Sequence, residues 1–332
     1  MHEVAITDSL APPATIEEEV LKDLARVVCL QARSIAELRG RLSGFQGLIV
    51  FHEVALPAEI IDGLEACRVI VRCGVGVDNI DLRAANDRGI PVCNVPDYGV
   101  DEVADHAIGL MLACNRGIML SERRLRRTLA PWDRRAVQPI LRLAGATMGI
   151  IGCGRIGTAT ALRAKALKLR VMIYDPYLPP GIEKALGVIR TDLATLLSES
   201  DVVSLHTPLT EETRHLVDGQ ALRRMKPSAV LINTSRGAVV DVTALADALR
   251  EKRLGGAGID VLPVEPPRAN EPLIRLWQEE LDPPINLILT PHTAYYSETA
   301  LVEMRTRAAE EVRRVLEGDA PKCCVNRPRQ RS

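Results

Sequence analysis

Gly152-Cys153-Gly154-Arg155-Ile156-Gly157 follows the apolar run ATMGII and precedes the helix-forming stretch TATALRAKALK, so a GxGxxG pattern stands at a strand-to-helix turn. In that context each glycine has a separate use. Gly152 permits the tight turn, Gly154 lets backbone approach a pyrophosphate, and Gly157 lets helix and strand pack closely, with the helix N-terminus as the anion site. The next apolar run, RVMIYD, ends in Asp175, whose carboxylate can accept from ribose hydroxyls and repel a 2′-phosphate. Pro176 and Tyr177 follow rather than an arginine, which points to NAD over NADP. Later runs also end in polar residues: His206-Thr207-Pro208, Asn233-Thr234-Ser235-Arg236-Gly237, Gly258-Ile259-Asp260 and Thr290-Pro291-His292. The acid/base pairing available near these ends is Glu265, five residues past Asp260, with His292, since a carboxylate on the far imidazole nitrogen fixes the tautomer and stabilises imidazolium. His206 reads as a structural residue of its turn. His2, His52, His106 and His215 lack ligand spacing, so no metal is expected.

These residues need a scaffold, and the chain supplies alternating short β-rich runs and helical stretches. Val4 to Thr7, Arg26 to Leu30, Gly47 to Val50 and Arg68 to Arg72 form a first series. A second begins near residue 146 with ATMGIIG and continues through RVMIYD, DVVSLH, AVLINT, AGID and NLILT. Such alternation predicts βαβ units with parallel sheets. Asp101 to Arg116 predicts one long helix bridging the two series, and Ser297 to Leu316 another, opened by Ser297 and Glu298 as a capping box and stopped at Gly318. If the last helix crosses back, the first domain is discontinuous: 1–100 plus 295–332, with 101–294 as the nucleotide domain.

The 332 residues are 47% hydrophobic and 26% charged, the profile of a folded globular chain, and their number favours two domains. With 42 Lys+Arg against 43 Asp+Glu, bulk charge offers no case for nucleic acid or an anionic membrane as partner. The basic stretch SERRLRRTLAPWDRR reads as a solvated helix end and loop. Eight cysteines without a CxxC, a start without a secretory pattern and no long apolar run predict a cytoplasmic protein with reduced thiols.

Taken together, GCGRIG, YDPYL, NTSRGAVVD, AGIDVLPVEPP and TPHTAYYSE resemble the D-isomer-specific 2-hydroxyacid dehydrogenase family over essentially the whole chain. YDPYLPPGIEKALG, PHTAYYSETALVEMR and the terminal CVN are most similar to its C-terminal-binding-protein-like branch. The resemblance implies an α/β protein of two Rossmann-like or flavodoxin-like domains with parallel sheets and the active site in the interdomain cleft. It implies an NAD-dependent oxidoreductase interconverting a small 2-hydroxy acid and its 2-oxo acid, working as a homodimer through the bridging helices. An NAD(H)-sensing corepressor and a phosphoglycerate dehydrogenase are the alternatives it leaves.

By the same resemblance, Arg236 binds and polarises the substrate, His292 gives or takes the proton, and Glu265 orients that histidine. Val75 and Gly76, in the stretch VRCGVGVDN, offer amides to the substrate carboxylate. The cofactor set comprises Gly152, Gly154, Arg155, Ile156, Gly157, Asp175, Thr207, Pro208, Thr213, Thr234 and Asp260, with Asp260 at the carboxamide end. Tyr295 stands where branch members carry Trp, and Thr293 replaces the first alanine of their PHAA.

Overall fold

Two parallel sheets carry the strands of the computed structural model, which describes residues 1–130, 132–279, 281 and 284–328. Pro131 of the basic stretch and the last four residues of the expected first domain lie outside the described residues. By its internal contacts the chain forms two units, Met1–Gly99 with Ser297–Ser332, and Val100–Tyr296.

In the first unit β1 (His2–Ile6), β2 (Ala25–Cys29), β3 (Gly47–Val50), β4 (Val69–Arg72) and β5 (Val92–Asn94) lie in the order β2-β1-β3-β4-β5. That is the flavodoxin-like order, whose crevice falls between β1 and β3. Here the chain fills the crevice itself: Asp8, fully buried, accepts from the amides of Phe51 (3.0 Å), Glu53 (2.8 Å) and Val54 (3.1 Å). The helix Glu298–Leu316 returns to this sheet and buries Ala300, Met304, Ala308, Val312 and Val315. Its Arg305 forks onto Glu17 of the helix Thr15–Leu21 (2.6 and 2.8 Å), a carboxylate with no exposed surface. Gly47 permits the close approach, because a Cβ there would lie 2.9 Å from Val312 Cγ1. The expected capping box is only half made. Ser297 accepts from the Ala300 amide (2.9 Å), but Ala300 occupies the third helical position and has no carboxylate to return, while Glu298 is the first.

The second unit holds β6 (Thr147–Ile151), β7 (Arg170–Tyr174), β8 (Ile189–Arg190), β9 (Val202–Leu205), β10 (Val230–Asn233), β11 (Gly256–Ile259) and β12 (Leu287–Leu289). Their order is β12-β11-β10-β9-β6-β7-β8, so the strand order reverses beside β6 and opens a crevice at the carboxyl ends of β6 and β9. The helix Val100–Asn115, expected as a bridge, belongs with this unit. Its apolar stripe, Val103, Ala107, Leu110, Met111 and Cys114, is buried, and Gly258 of β11 leaves room for it, since a Cβ there would lie 2.9 Å from Leu110 Cβ. Arg163 of the helix Arg155–Ala166 pins it through Asp101 (2.7 Å) and Asp105 (2.6 Å). The basic stretch forms a further helix, Ile118–Thr128, with no buried residue. No helix among the described residues is long and apolar enough to cross a membrane.

Candidate active site

The turn after β6 is built around its glycines. Gly152 has φ +87°, and a Cβ on it would stand 2.6 Å from the carbonyl oxygen of His206, where the turns after β6 and β9 meet. A Cβ on Gly157 would stand 2.0 Å from Gly152 O, so only glycine allows this helix to seat against the strand. Gly154 differs: nothing lies within 4 Å of its Cβ position, so packing does not require glycine there. It caps the helix Arg155–Ala166 without a side-chain acceptor, leaving first-turn amides that have no intrahelical partner. Arg155 is exposed and Ile156 half-buried beside them. Asp175, just past β7, accepts from the Cys153 amide (2.9 Å) through one oxygen and from the Tyr177 amide (2.9 Å) through the other. It therefore ties the glycine turn to the end of β7 as well as presenting charge there.

Across the crevice, three buried polar atoms have no partner: His206 Nδ1, Thr207 Oγ1 and Thr234 Oγ1, all at the carboxyl ends of β9 and β10. Buried donors and acceptors are seldom left unmade, because each costs its desolvation energy. A polar ligand along this edge would satisfy them, which fits a dinucleotide lying over the glycine turn. The other nitrogen of His206, Nε2, pairs with Ser204 Oγ (2.9 Å), and burial lowers its pKa to about 4, so the ring is neutral at neutral pH. Thr213 is used locally: its hydroxyl donates to Pro208 O (2.6 Å) and accepts from the Thr210 amide (2.8 Å), closing the loop after β9.

The acid/base residues sit at the far end of the same sheet edge. After β12, His292 lies at φ +53°, a strained position for a non-glycine residue, held by its amide donating to Asp260 O (2.8 Å). Nδ1 of His292 is 2.6 Å from Glu265 Oε2, and Glu265 Oε1 in turn accepts from the Leu262 amide (2.7 Å). The carboxylate is thus oriented by backbone and the imidazole by the carboxylate. Arg236 precedes the turn Gly237–Val239; its guanidinium donates to Ser235 O (2.8 Å), and Asn233, 1% exposed, braces the turn through Arg236 O and the Ser235 amide. A Cβ on Gly237 would stand 1.9 Å from the Leu262 carbonyl carbon, so the Arg236 turn and the Glu265 loop touch through a glycine.

Asp260 is 2% exposed, and its oxygens are taken by the loop carrying His292: Oδ1 accepts from Thr290 Oγ1 (2.5 Å) and the Thr293 amide (3.0 Å), Oδ2 from the Ala294 amide (3.0 Å). His106, which sequence reasoning passed over, joins this brace through Nε2 to Thr290 Oγ1 (3.0 Å). Its signal was a polar residue on the apolar stripe, three after Val103 and four before Leu110. Tyr295 meets His292 edge-on, with ring centroids 6.2 Å apart. In the first unit, Val75 and Gly76 follow β4 in an exposed loop. That loop is shaped by Gly74 at φ +144°, over which Arg72 folds, and by Asn94 Nδ2 donating to Val75 O (2.7 Å).

A doubly wound sheet with a glycine turn at its switch point and an oriented carboxylate-imidazole pair defines a dinucleotide-binding protein equipped for acid/base chemistry. Comparison with known proteins narrows that class. Residues 108–294 match the family model "D-isomer specific 2-hydroxyacid dehydrogenase, NAD binding domain". A glyoxylate reductase of Korarchaeum cryptofilum is 40% identical over 86% of this chain and 84% of its own length. A D-3-phosphoglycerate dehydrogenase of Methanocaldococcus jannaschii is 36% identical over 99% of this chain, which spans only 60% of that relative. The crystal structure of D-lactate dehydrogenase from Aquifex aeolicus, complexed with NAD and lactic acid, superimposes with a TM-score of 0.85 at 30% identity, covering 95% of this chain and 96% of that one. The chain belongs to the D-isomer-specific 2-hydroxyacid dehydrogenase family, and its second unit carries the family's NAD-binding domain.

Proposed function

We propose that the protein interconverts a small 2-hydroxy acid and its 2-oxo acid with NAD. The observation that carries this reading is the 2.6 Å contact of His292 with a carboxylate that the Leu262 amide itself orients. An oriented base serves turnover, whereas a binding-only corepressor has no use for it. NAD, when bound, supplies the acceptor for the hydride leaving C2. The amides from Gly154 to Ile156 hold its pyrophosphate, with Gly152 and Gly157 shaping the turn. Asp175 takes the ribose hydroxyls and disfavours a 2′-phosphate, and Thr207, Pro208, Thr213 and Thr234 line the remaining length. Asp260 acts through the His292 loop it braces.

His292 takes the hydroxyl proton during oxidation and returns it to the carbonyl oxygen during reduction. Glu265 stabilises the imidazolium formed in between. Arg236 sets a fixed cationic fork against the substrate oxygen that gains charge. The named relatives act on short acids, so glyoxylate, hydroxypyruvate and pyruvate are the substrates to assay first.

The test is NADH oxidation against these acids for the native chain and His292→Ala. Turnover of at least one acid is expected, with kcat lowered on the order of 10²- to 10⁴-fold in the variant while NADH binding, read by fluorescence titration, is retained. Unchanged turnover in the variant removes His292 from the reaction.

We further propose a homodimer in a reducing cytoplasmic setting. No residue of the helix Ile118–Thr128 is fully buried within the chain, and its first residue Ile118, with Leu129 and Trp132 beyond its end, is exposed (53%, 73% and 79%), apolar surface suited to a second copy. The eight cysteines are thiols, as a reducing compartment keeps them.

A further inference from the structure

In the first unit, the segment following the last helix runs back along the sheet. There Cys324 pairs with Cys93 of β5 in an isolated antiparallel bridge. The flanking hydrogen bonds fix the kind of pair: the Asn94 amide donates to Cys323 O (3.2 Å) and the Val325 amide to Val92 O (2.8 Å). Bonds on either side of the pair, rather than within it, define the non-hydrogen-bonded site, where Cα atoms stand about 4.5 Å apart and the two side chains rise on the same face. That spacing falls inside the roughly 4.4–6.8 Å that a disulfide spans. Asn326 holds the strand in place, its Oδ1 accepting from the Val92 amide (2.8 Å) and lying 3.2 Å from Cys324 Sγ.

The two thiols differ in the way a reactive pair requires. Cys324 is half-buried and can be reached from solvent, whereas Cys93 is wholly buried. Burial first, then the neighbouring Glu311 and Cys324, push the Cys93 thiol far above the usual cysteine range. Glu311 of the last helix, 7% exposed, accepts from the Lys322 (2.7 Å) and Cys323 (3.1 Å) amides and neighbours the Cys93 thiol. A carboxylate therefore stands beside the buried sulfur.

We propose that Cys93 and Cys324 are a covalent modification site: a hydroperoxide oxidises the pair to a disulfide that staples the C-terminal segment to β5. Cys324 sulfur attacks the peroxide, the O–O bond breaks, and Cys324 becomes a sulfenic acid with release of one water when the oxidant is hydrogen peroxide. Cys93 sulfur then attacks Cys324 sulfur. The S–S bond forms as the S–O bond breaks, and the Cys93 proton, passed through the Glu311 carboxylate, leaves with the hydroxide as a second water. The thiol pair loses two electrons, and the peroxide gains them.

The experiment treats the reduced full chain with hydrogen peroxide, counts thiols under denaturing conditions and maps peptides without reduction. A fall from eight thiols to six is expected, with a Cys93–Cys324 cross-linked peptide that dithiothreitol releases. The cross-link is lost in Cys324→Ser and kept in Cys323→Ser. A cross-link through Cys323, oxidation that stops at sulfinic acid on Cys324, or a chain that keeps all eight thiols overturns the proposal. NADH turnover takes no part in this readout, so its outcome is separate from that of the proposed reaction.

Discussion

Nδ1 of His292 is committed to Glu265, and the price of that arrangement is a backbone held at φ +53°. Asp260 offsets the strain by gripping the Thr293 and Ala294 amides directly after the histidine. At this scale His206 gives a pH prediction. Its pKa is about 4 in the fold against roughly 6.5 in an unfolded chain. Above pH 6.5 neither state carries the proton and the residue contributes nothing. As pH falls toward 4 the unfolded chain binds a proton that the fold refuses, so stability is lost across that window. Urea unfolding of His206→Asn at several pH values is expected to show a flatter decline between pH 6.5 and 4 than the native chain; identical slopes would mean that the imidazole is not shielded.

Among the elements, the helix Glu298–Leu316 decides the first unit's integrity, because it closes a sheet whose strands all precede residue 95. The Arg305–Glu17 fork anchors it, and the guanidinium stays firmly charged through its hydrogen bonds to that carboxylate. Removing one partner strands a buried charge, so Arg305→Ala is expected to cost roughly 3 to 5 kcal/mol in urea unfolding. The double change Arg305→Met with Glu17→Gln, which leaves no charge unpaired, is expected to recover much of this. A single change as mild as the double would show that the pair is solvated.

For the whole molecule, the chain passes between its units after Gly99 and again after Tyr296, so the His292 loop lies just before the second crossing. Dimerisation belongs to this scale. Leu129→Glu with Trp132→Glu is expected to halve the mass read by light scattering, since two charges in an apolar contact cannot be desolvated without cost. A native chain that is already monomeric, or a variant that stays dimeric, rejects that surface.

The sequence by itself determined the two series of strands, the glycine turn, the terminal helix and the residue types able to move a proton. Each is written in neighbouring residues, through the periods of strand and helix or the sterics of a single turn. It left out β5 and β8, three and two residues long, which carry no periodic signal and exist because a neighbouring strand pairs with them. It also gave no view of Asp8 plugging the first crevice, of His106 in the Asp260 brace, or of two cysteines meeting across a bridge. Only tertiary structure decided these, and with them the contact of Glu265 with His292, 27 residues apart. Such contacts depend on which loops the strand order stacks side by side, and local sequence does not encode that order.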